Sequence, residues 1–119
     1  DVGCEGSFLM SIDKIVSRIE YGYGKSLSIG DGWLPLVSSL DDSLAEIDPD
    51  YSLGQCKEKF GGLRYYAIPS ENLDDSSRRK FHDLISDAEK RSYTICEVCG
   101  GPGRPTNTYT IRTVCPDHE

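Results

Sequence analysis

Cys96-Glu97-Val98-Cys99 and Cys115-Pro116-Asp117-His118 place two pairs of metal-ligating side chains near the C-terminus, with fifteen residues between the pairs. A short knuckle of this kind presents both of its ligands on one side. A connecting hairpin of about this length brings two knuckles together, which is the arrangement of a zinc ribbon. The expectation is one structural Zn2+ held by Cys96, Cys99, Cys115 and His118, because four protein ligands fill a tetrahedral ion and leave no position for water or substrate. Gly100-Gly101 stands where the chain must turn back, and Tyr109 to Val114 alternates as a returning strand would. Two disulfides with His118 incidental form the competing reading. It is disfavoured because the other two of the five cysteines, Cys4 and Cys56, are isolated and no secretory signal is visible.

Upstream, hydrophobic periodicity sets the elements. Phe8, Ile12, Ile15, Val16 and Ile19 recur at helical steps between Ser7, a candidate cap, and Glu20, and the pattern stops at Tyr21-Gly22-Tyr23-Gly24. Trp33, Val37, Leu40, Leu44 and Ile47 form a second stripe, with Pro35 in its first turn and Asp48-Pro49 at its end. The period then changes. Gln55–Phe60 and Leu63–Ile68 flank Gly61-Gly62, which predicts a β-hairpin pairing Phe60 with Leu63, Lys59 with Arg64, Glu58 with Tyr65 and Lys57 with Tyr66. Phe81, Leu84, Ile85 and Ala88 mark a third helix from Ser76 to about Ser92. The expected fold is α+β, three helices with a short antiparallel hairpin and a C-terminal zinc ribbon. Within a single compact domain, residues 1–93 would form the body and 94–119 the zinc element packed on it.

Charge narrows the function. The 119 residues carry a formal −7, and the whole excess lies in the first fifty, which hold three basic and ten acidic side chains against ten of each thereafter. That balance disfavours nonspecific binding to nucleic acid. No stretch approaches eighteen consecutive apolar residues, so no membrane role is expected. Hairpin alternation puts Cys56, Glu58, Phe60, Leu63, Tyr65 and Ala67 toward the helices and Lys57, Lys59, Arg64 and Tyr66 outward. Three cations beside a ring suit a phosphate joined to a planar group, and Trp33 would adjoin them as a wall unless its stripe position buries it. The alternative for these cations is an internal partner in the acidic N-terminal half.

Other motifs carry less. Gly24-Lys25-Ser26 resembles the end of a phosphate-binding loop, but Ile19 stands where its first glycine is needed. Asp31, Asp41, Asp42, Asp48 and Asp50 lack the spacing of a hard-cation loop and read as a solvated acidic face. Cys56 and His82 read as a strand thiol and a surface imidazole rather than a nucleophilic pair, and Arg78-Arg79-Lys80 as helix surface. No catalytic residue is assigned.

Gly30-Asp31-Gly32-Trp33, the run from Lys57 to Tyr66, and Cys96-Glu97-Val98-Cys99-Gly100 with Cys115 and His118 together resemble small proteins encoded by bacteriophages and prophages. The likeness spans roughly Asp31 to His118. It implies a phage protein acting in the bacterial cytoplasm, and it carries no activity to transfer. The expected function is nonenzymatic counter-defence, by capture of a phosphorylated nucleotide signal or of a host defence protein, with a homo-oligomer open. The alternatives are a nucleic-acid-binding adaptor built on the ribbon and a small nucleotide hydrolase.

Overall fold

Pro35 in the first turn, and an apolar residue at every third or fourth position facing one core, make Leu34–Ile47 a helix. The computed structural model describes residues 12–19 and 27–119. Residues 12–17 are helical (α1), a single 3-10 turn at Asp31–Trp33 leads into α2 (Leu34–Ile47), and β1 (Ser52–Lys59) and β2 (Gly62–Ile68) form an antiparallel hairpin. Helix α3 (Asp75–Ser92) follows, begun by Asp74, whose carboxylate accepts from Ser77 N at 2.8 Å. The C-terminal segment holds only two-residue strands, β3 (Arg104–Pro105) and β4 (Thr113–Val114), and a final 3-10 turn, Pro116–His118. This is the α+β architecture of three helices, one hairpin and a Cys/His cluster that the sequence led us to expect. The Ser7 cap, the glycine stop at residues 21–24, Gly24-Lys25-Ser26 and Cys4 lie outside the described residues.

Helix α3 packs on both α2 and β2. Between these layers Trp33, Val37, Leu44, Leu53, Leu63 and Phe81 are wholly buried, and Ile15 of α1 joins them. Both edges of the hairpin are occupied. Along β1, Leu53 N donates to Arg18 O and Ser28 N to Cys56 O, each at 2.9 Å. Along β2, Leu63 N donates to Ser92 Oγ at 2.9 Å and Tyr65 N to Glu89 Oε2 at 3.0 Å.

The hairpin turns one residue earlier than expected. Lys59 pairs with Gly62, Glu58 with Leu63, Lys57 with Arg64 and Cys56 with Tyr65, so the turn residues are Phe60 and Gly61. Their φ angles of 54° and 84° are the two positive values a type I′ turn requires. Gly62 is needed in the strand because a Cβ there would overlap the Tyr93 hydroxyl, while Glu58 Oε2 accepts from Gly61 N at 2.7 Å. The strands are displaced by two residues relative to the expected register, and since side chains alternate with period two each keeps its face. Cys56, Leu63 and Tyr65 are buried as expected, but Phe60 is in the turn and 66% exposed.

Two further expectations are corrected. Tyr109 is fully exposed rather than part of a returning strand, because Thr106 N donates to Arg112 O at 2.7 Å and closes residues 106–112 into a loop. Asp41 and Asp48 do not belong to a solvated acidic face. Asp41 is buried against Arg18, with Nε to Oδ1 at 2.8 Å, and Asp48 accepts from Ser70 N and Oγ at 2.6 and 2.7 Å. Asp31, Asp42 and Asp50 are exposed.

Candidate metal centre and hairpin face

A turn and a two-stranded ladder assemble the C-terminal cluster. Cys96 N donates to Gly101 O at 2.7 Å and Gly100 N to Cys96 O at 2.9 Å, closing the first knuckle, with Gly100 at φ 83°. The Arg104–Val114 and Pro105–Thr113 pairs then return the chain, and His118 N donates to Cys115 O at 3.0 Å in the second knuckle. As a result the ligand atoms of Cys96, Cys99, Cys115 and His118 all lie within 4.8 Å of one another. Cys99 Sγ is 3.8 Å from Cys115 Sγ, and Cys96 Sγ is 3.7 Å from His118 Nδ1. Metal–thiolate bonds of about 2.3 Å give a tetrahedron with edges of about 3.8 Å, so the set fits one metal ion.

The electrostatics also fit a cation. Burial pushes the Cys96 thiol up, but hydrogen bonds from the backbone of Cys99, Cys115 and Val98 outweigh it and bring the group from its ordinary 9.0 down to about 6. Cys115 moves the other way, raised first by desolvation and then by the sulfurs of Cys99 and Cys96. Sulfurs this close cannot all ionise without a positive charge between them.

The centre is fastened to the body by its own loops. Gly32 N donates to Glu97 O at 2.7 Å, Gly30 N to Glu97 Oε2 at 2.9 Å, and Trp33 Nε1 to Ile95 O at 2.9 Å. A Cβ at Gly32 would overlap the Cys96 carbonyl, so glycine is what allows this approach. From the other side Thr113 Oγ1 donates to Gly61 O at the hairpin turn. The anchoring role of Glu97, inside the first knuckle, left no signal in the sequence beyond its position.

The outward hairpin residues do not all converge. Lys57 and Tyr66 do, with the ammonium 5.8 Å from the ring centroid, within cation–π range, beside a shallow depression of about 430 Å³ lined by Gly54, Gln55, Lys57, Tyr66, Ala67 and Ile68. A one-residue irregularity in β1 between Leu53 and Gln55 lies at this depression. Arg64 is directly across from Lys57, but its guanidinium turns to Leu63 O at 3.2 Å and the Tyr93 hydroxyl at 3.4 Å. That hydroxyl pushes Arg64 further above its ordinary value, so it stays charged. Lys59 sits instead over the Phe60 ring at 5.8 Å. Trp33 is no wall of a ligand site; it is fully buried because its position in the α2 stripe points it into the core. Among the described residues no carboxylate pairs with Lys57, Lys59 or Arg64. A second depression of about 470 Å³, around Arg104, Thr106, Asn107 and Glu119, has no aromatic ring in its lining.

Cys56 and His82 are not brought together: Cys56 is buried in the core and its thiol pushed up to about 12 by that burial, whereas His82 is exposed on α3. Arg78 reaches back to the carbonyls of Ser70, Glu71 and Leu73 at 3.3 to 3.5 Å and serves the loop before α3. No helix among the described residues is long and apolar enough to cross a membrane.

These features define a small α+β protein with a C-terminal Cys/His cluster able to hold one metal ion. No protein-family model matches the chain, and comparisons with curated proteins and with solved structures give no match.

Proposed function

We propose that the protein is a nonenzymatic binder that captures an anionic small molecule with a planar part, of the phosphorylated-nucleotide class, on the outer face of its hairpin. The observation that carries this reading is the Lys57 ammonium, free of any carboxylate partner among the described residues and set against the half-exposed Tyr66 ring at the rim of a depression. A phosphate would meet Lys57, a base would lie on Tyr66, and Arg64 directly across the ladder would add positive field. In the phage setting that the resemblance implies, such capture withdraws a signal from host defence.

The cluster of three thiols and one imidazole suits Zn2+, which would be held by Cys96, Cys99, Cys115 and His118. With all four ligands supplied by the protein, the ion's contribution is to cross-link the two knuckles. On this reading the metal supports the fold and the hairpin carries the chemistry of recognition.

Calorimetric titration with mono-, di- and cyclic nucleotides tests the reading. Lys57→Glu and Tyr66→Ala should each weaken the best ligand by about tenfold or more, while partly exposed positions like these shift Tm by no more than about 2 °C. Absence of binding across the panel, or unchanged affinity in both variants, overturns it. Turnover of a nucleotide would favour the hydrolase reading, and salt-dependent binding of DNA or RNA the adaptor.

A further inference from the structure

Phe60 is the one non-glycine residue with positive φ among the described residues, at 54°. Glycine, asparagine and aspartate are the residues that fit this turn position; a bulky aromatic side chain there is a steric outlier. Burial of the ring does not offset the strain, because Phe60 is 66% exposed. An aromatic side chain held in a disfavoured conformation and turned to solvent has a cost for folding, against which the Lys59 ammonium 5.8 Å from the ring centroid returns little.

The surroundings of that ring have a consistent chemistry. The turn abuts the end of the loop of residues 106–112: the Cβ position of Gly61 lies 3.1 Å from Ile111 Cγ2, and Ile111 is itself 39% exposed. Lys59 stands over the Phe60 ring, and the exposed Arg112 follows Ile111; neither has a carboxylate partner among the described residues. Two carboxylates lie nearby, and the Arg112 charge acts on one of them, Glu97. Glu58 accepts from Gly61 N, and Glu97 accepts from Gly30 N. The tip therefore offers two apolar groups beside two cations that form no ion pair among the described residues, in a chain that is acidic as a whole.

We propose that the hairpin tip, formed by Phe60 and Ile111 with Lys59 and Arg112 beside them, is a docking surface for an acidic segment of a partner protein that carries large apolar side chains. Phe60 is the anchor on which those side chains pack, and the cations select the carboxylates. This surface is separate from the Lys57–Tyr66 depression, so it stands or falls independently of nucleotide capture.

The test has a folding arm and a binding arm. Phe60→Asn suits the same turn, so Tm should hold or rise by about 2–5 °C. A fall in Tm would show that the ring is there for stability and would overturn the proposal. For the binding arm, a random peptide library displayed on beads is selected on the wild-type protein and counter-selected on Phe60→Asn. The surviving peptides should join large apolar residues to Asp or Glu. They should lose about tenfold or more in affinity on Phe60→Asn and on Lys59→Glu, and keep it on Lys57→Glu. Selection of no such peptides, or peptides indifferent to Phe60, overturns the proposal. So does sedimentation showing that the wild-type chain self-associates through Phe60, since the occupant would then be a second copy.

Discussion

Arg18 and Asp41 form a charged pair inside the core, with side chains 8% and 0% exposed. Tyr51 donates to the same Asp41 oxygen, its hydroxyl is 2.6 Å from that of Tyr65, and the guanidinium lies 4.2 Å from the Tyr51 ring centroid. Arg18 Nη2 and Asp41 Oδ2 find no partner among the described residues, so the pair bears part of its desolvation cost uncompensated. Asp41→Ala should accordingly destabilise by about 3–5 kcal/mol, measured by chemical denaturation, because it strands a buried cation. Replacing both partners with apolar residues should recover most of that loss. The buried acids also set an alkaline limit. Cys56 rises from its ordinary 9.0 to about 12 through burial, and Tyr51 and Tyr65 are raised, first by the same cause. A raised folded value means that the unfolded chain loses its proton first. Stability is therefore intact below pH 9 and falls as pH climbs toward 12. In Cys56→Ala, denaturation midpoints should begin to fall about one pH unit later, where tyrosine ionisation takes over.

At the scale of elements, the contact between the Asp31–Trp33 turn and the first knuckle is the most sensitive join. Gly32→Ala would drive a methyl group into the Cys96 carbonyl and the Gly100 amide. The expected result is a loss of about 2–4 kcal/mol in stability together with weaker metal retention in competition with a chromogenic chelator. Retention unchanged from wild type would show that the knuckle closes without this support. The same scale shows what could be read from sequence. Helical stripes predict α2 and α3 almost to the residue, since their apolar positions all answer to one nearby core, and ligand spacing predicts the Cys/His cluster because knuckle geometry is local. The hairpin turn is displaced because Gly61-Gly62 is the stronger local signal, whereas the fact that decides it, Tyr93 against Gly62, comes from thirty-one residues downstream. Asp41 looks solvated in the sequence for a similar reason: nothing near it along the chain announces Arg18. The loop of residues 106–112 rests on Thr106, whose Oγ1 accepts from Arg112 N at 3.0 Å, and alternation in that stretch imitated a strand.

For the molecule as a whole, the metal end and the body share hydrogen bonds on two sides, Glu97 with residues 30–32 and Thr113 with Gly61. Removal of the metal should thus reach well beyond residue 94. With 1,10-phenanthroline, thermal unfolding should remain one transition and move down by about 10 °C or more, and Trp33 fluorescence should shift to the red as its Ile95 contact loosens. Two separated transitions, with Trp33 unaffected by the first, would instead mark the C-terminal segment as an independent unit. Elemental analysis should return one zinc per chain.

A hairpin of two strands is the smallest sheet and the one most open to recruiting a third strand from another molecule. Here a newcomer finds both sides taken. Residues 18–19 and 28 already run along β1, and on the other flank the Ser92 hydroxyl and Glu89 carboxylate of α3 act as stoppers on the outward amides of Leu63 and Tyr65. Strand-by-strand polymerisation would have to begin by unseating a helix that also holds Phe81 and Ile85 in the core, so resistance to fibril growth is tied to the integrity of the fold itself.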